Sequence, residues 1–202
     1  MKTASPKEVV IVDSGGANIA SLRCALERLG ARTRLSADGS VIAGADRVVL
    51  PGVGAARHAM ERLRTAGLTN VLRTLTQPVL GVCLGMQLLF ARSEEGPTAC
   101  LGILPSAVQG LRAQPGRPVP HMGWNRLQRL KADPLLEGIE DGAHVYFVHS
   151  YAAAVTEHTL ASAEYGLPLS AVVRHGNFWA TQFHPERSAA TGARILRNFL
   201  RL

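Results

Sequence analysis

Short, uninterrupted apolar runs, separated by segments of helical periodicity, limit the fold of this chain more than any other feature. The run 9–12, Val-Val-Ile-Val, lacks the polar alternation of a half-exposed strand and is typical of a strand buried on both faces. A helix over 19–29, capped by Asn18, and strands over 32–36 and 46–50 follow. This order predicts an α/β fold with a mostly parallel twisted sheet flanked by helices on both faces.

The rest of the chain continues the pattern and then changes. Further helices are expected over 55–64, 68–75 and 189–202. The second half is richer in short strands, which predict the rest of the sheet and an antiparallel extension: 106–111, 125–130, 145–149, 159–165, 170–174 and 177–183. With 202 residues and 47% apolar content, residues 1–202 are expected to form one domain.

Cys83 occupies the most informative position for function. It lies in Gly81-Val82-Cys83-Leu84-Gly85, between a predicted buried strand over 79–82 and the apolar start of a helix. A sharp turn between strand and helix is the setting of a nucleophile elbow. The glycines permit the turn, and the positive end of the helix stabilises negative charge on the sulfur.

His184 and Glu186 supply the groups that such a nucleophile needs. They follow the predicted strand 177–183, so both side chains can leave the same strand end. An isolated cysteine is usually a small buried apolar side chain, and His-Pro often marks only a turn. Here the Cys83 motif and the His-Pro-Glu motif both follow predicted strands of one α/β pattern. This placement favours a Cys-His-Glu triad, in which His184 is the base and Glu186 orients it.

Composition excludes several other classes of protein. The formal net charge is +7, but the 19 arginines are scattered, so we expect a basic surface and no nucleic-acid partner. No apolar run reaches about 18 residues and the first residues lack a signal-peptide core, so we expect no membrane association and a cytoplasmic location. Three cysteines without paired spacing indicate neither disulfides nor a zinc site, and Cys24 and Cys100 are expected to pack in the interior.

Three motifs together resemble the class I, triad-type glutamine amidotransferases: Pro51-Gly52-Val53-Gly54, the segment 81–87, and His184-Pro185-Glu186. Within that class, Val119-Pro120-His121-Met122-Gly123-Trp124-Asn125 and the segment 146–151 resemble the glutaminase subunits of imidazole glycerol phosphate synthases. The similarity runs from Val9 to the C-terminus. Two features depart from the family's usual pattern. The first turn, commonly Asp-Tyr-Gly-x-Gly-Asn, reads Asp13-Ser14-Gly15-Gly16-Ala17-Asn18 here, and Arg187 stands where lysine is common.

The resemblance implies roles for further residues. Backbone N–H groups of Leu84 and of the Gly52-Val53 segment would hold the oxyanion. The amino-acid end of glutamine would be bound by Gln87, Glu95, Ser150 and Tyr151. For Glu95, a solvated helix end beside Glu94 is an equally good interpretation of the sequence.

The resemblance also implies a partner. Ammonia released by a lone glutaminase would be lost to water, so we expect a heterodimer with a (β/α)8-barrel cyclase, and no cofactor. Candidate interface residues are Met122, Trp124, Asn125 and Arg187, although Trp124 fits core packing equally well. The alternatives are the glutaminase subunit of an anthranilate or aminodeoxychorismate synthase, and a non-catalytic partner-binding module on the same fold.

Overall fold

The computed structural model describes residues 8–14 and 19–202. Residues 15–17 of the first turn and the predicted helix cap Asn18 lie outside the described residues. Strands are β1 Glu8–Val12, β2 Arg32–Ser36, β3 Arg47–Leu50, β4 Val79–Val82, β5 Phe90–Ser93, β6 Thr98–Ala99, β7 Leu104–Gly110, β8 His121–Arg126, β9 Gln128–Arg129, β10 His144–His149, β11 Tyr151–Ala153, β12 Thr159–Glu164, β13 Pro168–His175 and β14 Phe178–Thr181. Helices are α1 Ile19–Arg28, α2 Gly39–Ala43, α3 Ala56–Thr65, α4 Leu68–Arg73, α5 Leu84–Leu88 and α6 Ala189–Phe199.

The central sheet has the order β2-β1-β3-β4-β14-β13-β12-β9. Strands β2, β1, β3, β4 and β14 run parallel, and β13, β12 and β9 continue the sheet antiparallel. The predicted α/β fold with a parallel sheet and an antiparallel extension is therefore confirmed.

Both faces of β1 are buried, as its unbroken apolar run predicts. Val9 and Ile11 belong to a core that includes Leu22 and Leu26 of α1 and residues of α6. Val10 and Val12 belong to a second core, which residues of α2, α3 and α4 complete. Successive residues of one strand thus pack against different helical layers.

The second half does not form one continuous sheet, and that part of the prediction is wrong. β7 lies in a separate sheet of order β11-β7-β5-β6, and β8 pairs with β10 in another. The predicted strand 125–130 is divided at Leu127, whose side chain is buried. The backbone N–H of Leu127 donates to the carbonyl of Ala143. Before this residue β8 pairs with β10, and after it β9 pairs with β12.

Two further details differ from expectation. The helix that starts after Cys83 ends at Leu88, and the apolar run continues as strand β5. Cys24 is exposed, because α1 buries Leu22, Ala25 and Leu26 and position 24 faces away from that stripe. Cys100 is buried as predicted, and burial raises the pKa of its thiol to about 11.

Candidate active site

Cys83 lies at the carboxyl end of β4, on the turn into α5. Its backbone has φ 55° and ψ −110°, a conformation that costs a non-glycine residue about 1–3 kcal/mol. The N–H of Cys83 donates to the carbonyl of Thr181 at 2.8 Å, and its own carbonyl accepts from the N–H of Met86 at 3.0 Å. The turn is therefore held on both sides, and its strained geometry is that of the predicted nucleophile elbow.

Glycine at two neighbouring positions is required by close backbone packing. A Cβ on Gly85 would lie 1.8 Å from the carbonyl oxygen of Leu50, at the end of β3. A Cβ on Gly52 would lie 2.8 Å from the Cβ of Leu84. The segment after β3 thus packs directly on the first turn of α5, which brings the two predicted oxyanion-binding stretches together.

His184 reaches the cysteine because β14 runs parallel to β4 as its neighbour. Thr181 is in register with Val82, so the residues that follow both strands emerge at the same edge of the sheet. The N–H of His184 donates to the carbonyl of Tyr146 at 3.0 Å, and Nδ1 of its ring lies 2.8 Å from Oε1 of Glu186. The His184 and Glu186 side chains are 5% and 1% exposed, so this pair is shielded from water.

The electrostatics of His184 favour its charged form. Burial by itself lowers the pKa of this imidazole, but hydrogen bonds with Cys83 and Glu186, together with their charges, outweigh burial and raise it to about 10. The ring thus carries a proton at neutral pH. The structure brings together the three residues that the sequence predicted as a triad.

A pocket of about 390 Å³ opens beside these groups. Its lining includes the cysteine, the histidine and residues from several connecting segments: Val53, Gly54, Leu84, Gln87, Glu95, Pro120, Val148, His149, Ser150 and Tyr151. All four residues expected to bind the amino-acid end of glutamine therefore lie in its wall. Of the predicted oxyanion segments, Val53 and Leu84 line the pocket, and Gly52 packs behind them.

Gln87 is buried in this wall and has polar partners. Its Nε2 donates to the carbonyl of Tyr151 at 2.8 Å and to Oε1 of Gln182 at 3.1 Å. Nε2 of Gln182 in turn lies 4.0 Å from Sγ of Cys83, and the side chain of Gln182 is fully buried. The amide of Gln182 is therefore a polar neighbour of the sulfur that the sequence analysis missed.

Glu95 is neither on a helix nor a solvated helix end. It follows β5, and Oε2 accepts from the N–H of Ala56 at 2.7 Å, in the first turn of α3. A carboxylate at a helix N-terminus is stabilised by the helix dipole. The contact anchors Glu95 at the pocket wall, where its charge faces the space for a ligand.

Three of the four predicted interface residues lie on β8, where they divide between its two faces. Met122 is 66% exposed and Trp124 is 54% exposed, so the core-packing interpretation of Trp124 is wrong. The side chain of Asn125 lies on the other face and donates to the carbonyl of Glu164. Arg187 is exposed in the 3-10 helix Pro185–Arg187, directly after the triad.

Two residues in or next to the pocket were missed by the sequence analysis. His149 lines the cavity although it was assigned no role there, and Gln182, which lies beside Cys83, was not considered. The signal available for Gln182 was a polar residue beside the apolar strand 178–181, which implies a buried hydrogen-bond partner.

Within residues 8–14 and 19–202, no group of three or more His, Cys, Asp or Glu side chains is arranged to hold a metal ion. Among the helices of that same part of the chain, none has both the length and the apolar character needed to cross a bilayer.

Comparison with known proteins agrees with this geometry. The family model described as glutamine amidotransferase class-I matches residues 10–202. The protein named imidazole glycerol phosphate synthase subunit HisH from Xanthomonas euvesicatoria pv. vesicatoria is 54% identical over 195 residues, covering 96% of this chain and 98% of the relative. The protein of the same name from Xylella fastidiosa (strain Temecula1) is 53% identical over 195 residues, with the same coverage.

Solved structures share the fold. A putative GMP synthase protein from Thermoplasma acidophilum superposes with a TM-score of 0.75 at 21% identity, over 98% of this chain and 94% of that one. A structure described as a glutamine amidotransferase gives a TM-score of 0.73 at 24% identity, over 96% and 97% of the two chains.

Proposed function

From the premise that this chain belongs to the class I glutamine amidotransferase family, we propose that it is the glutaminase subunit of an imidazole glycerol phosphate synthase. It hydrolyses glutamine to glutamate and ammonia, and the ammonia serves histidine biosynthesis. The observation that carries the proposal is the meeting of Cys83, His184 and Glu186 at a pocket large enough for an amino acid. Relatives with more than half of their residues identical bear this subunit's name.

The reaction begins at the sulfur of Cys83. The proton that His184 carries comes from the Cys83 thiol, and the charged ring, oriented by Glu186, stabilises the thiolate. The sulfur attacks the amide carbon of glutamine, and the carbonyl oxygen becomes an oxyanion. His184 then donates its proton to the departing nitrogen, so that the C–N bond breaks and ammonia leaves. Water then attacks the thioester while His184 takes its proton, so glutamate leaves and the thiolate beside the charged ring is restored.

The oxyanion is met by backbone N–H groups of Leu84 and of the Gly52-Val53 segment. Packing of Gly52 against Leu84 supports this assignment, because it holds both stretches in one place before the substrate arrives. Fixed donors of this kind need no reorganisation during the reaction, and the loss of one costs about 3–4 kcal/mol in other hydrolases.

The amino-acid end of glutamine binds in the wall formed by Gln87, Glu95, Ser150 and Tyr151. The carboxylate of Glu95 pairs with the ammonium group, since it lines the pocket and is anchored by α3. The buried amide of Gln87 fixes the main chain at Tyr151. Its role is thus to shape the binding wall.

The synthase is completed by a cytoplasmic partner, a (β/α)8-barrel cyclase that receives the ammonia through an internal channel. Residues 1–202 form one glutaminase domain in that heterodimer. The side chains of Met122 and Trp124 support a docking surface on β8, because both are large, apolar and more than half exposed. Arg187 lies next to the triad in sequence and adds a positive charge to the interface.

The test is an assay of the complex with its cyclase partner and the ribonucleotide substrate. Cys83→Ala should abolish turnover with glutamine and leave turnover with added ammonium salt unchanged, because the substitution removes the nucleophile only. Equal glutamine-dependent rates in wild type and variant would refute the triad and favour the non-catalytic module. Activation by a chorismate-using synthase, and not by the cyclase, would refute the choice of pathway.

A further inference from the structure

A chain of hydrogen bonds leads from β8 to the pocket wall through two buried histidines. His121 and His149 are paired across β8 and β10, and Nδ1 of His121 lies 2.9 Å from Nε2 of His149. Nδ1 of His149 lies 2.9 Å from the carbonyl oxygen of Tyr151. At the other end, Nε2 of His121 lies 3.3 Å from Nδ2 of Asn125. The proposed reaction uses neither imidazole.

Both ends of this chain have fixed hydrogen-bonding roles. The carbonyl of Tyr151 can only accept. The amide of Asn125 is oriented by main-chain groups: its Oδ1 accepts from the N–H of Arg126 at 2.7 Å, and its Nδ2 donates to the carbonyl of Glu164 at 2.9 Å. Nδ2 of Asn125 is therefore a donor towards the ring of His121.

These roles determine the proton positions between them. His149 must donate from Nδ1 to Tyr151, so a neutral His149 accepts at Nε2. His121 must then donate from Nδ1 and accept at Nε2, which is what the amide of Asn125 requires. An extra proton on either ring would place two donors against each other, either between the rings or at Asn125. The chain therefore has one direction, and it holds both rings neutral.

Packing holds the rings in these orientations. The ring of His121 is stacked between Phe147, at a centroid distance of 4.7 Å, and Tyr165, at 3.9 Å. Burial lowers the pKa of His121 to about 4. Burial, the neighbouring His121 and the charge of His184 together lower the pKa of His149 to about 3, against the hydrogen bond to Tyr151.

The hydrogen-bond chain begins at Asn125 and His121, behind the exposed surface of β8. Met122 and Trp124 face outwards, whereas His121 and Asn125 belong to the opposite face of the same strand. A shift of β8 therefore moves the amide of Asn125, which is the first donor of the hydrogen-bond chain. The last acceptor, the carbonyl of Tyr151, belongs to the wall that binds glutamine.

We propose that His121 and His149 are positioning residues, which hold the Ser150–Tyr151 wall of the glutamine pocket in register with strand β8 through a one-way hydrogen-bond chain. This inference rests on the proposed function, since the wall matters only if glutamine binds there. The two histidines act on the substrate through the main chain of Tyr151.

The first experiment records the nitrogen-15 spectrum of the full chain labelled at histidine, alone and with its cyclase partner. Both His121 and His149 should be in the Nδ1–H tautomer at pH 7. An Nε2–H tautomer or a charged ring at either position would overturn the proposal. This measurement does not depend on enzymatic activity. If the tautomers are as assigned but the complex does not hydrolyse glutamine, the proposed function fails and the hydrogen-bond order stands.

The second experiment compares two replacements of the same ring in the glutaminase assay of the complex. His149→Gln keeps a polar group near the position of Nε2 and loses the donor to Tyr151. His149→Asn keeps a donor near the position of Nδ1 and loses the link to His121. The KM for glutamine should rise about tenfold in His149→Gln, as expected for a lost buried hydrogen bond, with kcat changed less than about threefold.

His149→Asn should recover only part of that loss, with a KM about threefold above the wild-type value, because it keeps the donor to Tyr151 and breaks the link to His121. A role in packing alone predicts equal effects of the two variants, and that result would overturn the proposal. The matched control is His158→Gln, since His158 and His175 form another histidine pair with a centroid distance of 4.9 Å, equal to that of His121 and His149. Neither ring lines the pocket, so the control should leave KM unchanged.

Discussion

Acidification from pH 7 to pH 5 should destabilise this protein, and the effect should come mainly from His121 and His149. Their pKa values are lowered from 6.5 to about 4 and about 3 in the folded state. Below pH 6.5 both rings bind protons in the unfolded state, whereas in the folded state they stay neutral until the pH approaches their lowered pKa values. The stability that depends on their neutral forms is thus complete above pH 6.5 and is lost as the pH falls towards the folded-state values.

The size of the effect follows from proton linkage. At pH 5 each ring of the pair favours the unfolded state by about 2 kcal/mol more than at pH 7, or about 4 kcal/mol together. The charged neighbour facing His149 is His184, whose pKa is raised to about 10. The contribution of His184 to folding stability is complete below pH 6.5 and is lost as the pH rises through about 10. Acidification from pH 7 to pH 5 therefore increases this contribution by about 0.8 kcal/mol. The three histidines together therefore lower the free energy of unfolding by about 3 kcal/mol.

Urea unfolding at pH 7, 6 and 5, followed by circular dichroism, measures this loss. The matched variant is the double substitution His121→Gln, His149→Asn, whose amides do not titrate. Its starting stability is lower, but its free energy of unfolding should change with pH by about 4 kcal/mol less than that of the wild type over the same interval. Parallel curves for the two proteins would refute the neutral, buried pair.

Three further predictions concern the reaction centre and its support. Glu186→Gln should lower kcat with glutamine at least about hundredfold, because the imidazole loses its anionic partner; the assay with added ammonium salt should be unchanged, and a loss below threefold would contradict the role. Gly85→Ala should cost about 3 kcal/mol in urea unfolding, since its Cβ would lie 1.8 Å from the carbonyl oxygen of Leu50. The control Gly44→Ala, where the nearest atom is at 3.4 Å, should cost far less. Glu95→Gln should raise the KM for glutamine about tenfold and lower the stability by about 0.5–1 kcal/mol, through the lost charge at the start of α3; an unchanged KM would exclude contact with the substrate ammonium.

The central sheet could be predicted because its sequence signals are local. Continuous apolar runs mark strands with two buried faces, and β1, β3 and β4 have them. The proximity of Cys83 and His184 follows from the same signals, since parallel strands bring their carboxyl ends to one edge. The order β4-β14 within the sheet was not available from the sequence, because a strand pairing over about a hundred residues leaves no local trace.

The run after Cys83 shows where such signals fail. Residues 84–90 are apolar apart from one glutamine, and a short apolar run fits a buried helix and a buried strand equally well. The chain uses both, with α5 ending at Leu88 and β5 starting at Phe90. Glu95 was therefore expected at a helix end, although it follows a strand.

The pocket has two walls of different origin, and this difference decides how a partner can influence the reaction. One wall is the elbow at Cys83 with the segment after β3, locked by the contact of Gly85 with Leu50. Backbone packing leaves no room for a side chain at Gly85 or Gly52, so the first turn of α5 is held against the end of β3.

The other wall comes from the pair β8–β10 and from Tyr151, and hydrogen bonds between side chains hold it in place. Such bonds shift by tenths of an ångström at small cost, and the outer face of β8 exposes Met122 and Trp124. A partner on the proposed β8 surface would therefore act through glutamine binding and orientation, while the strained cysteine stays fixed. The sequence could not reveal this division, because it depends on the register that places His121 opposite His149.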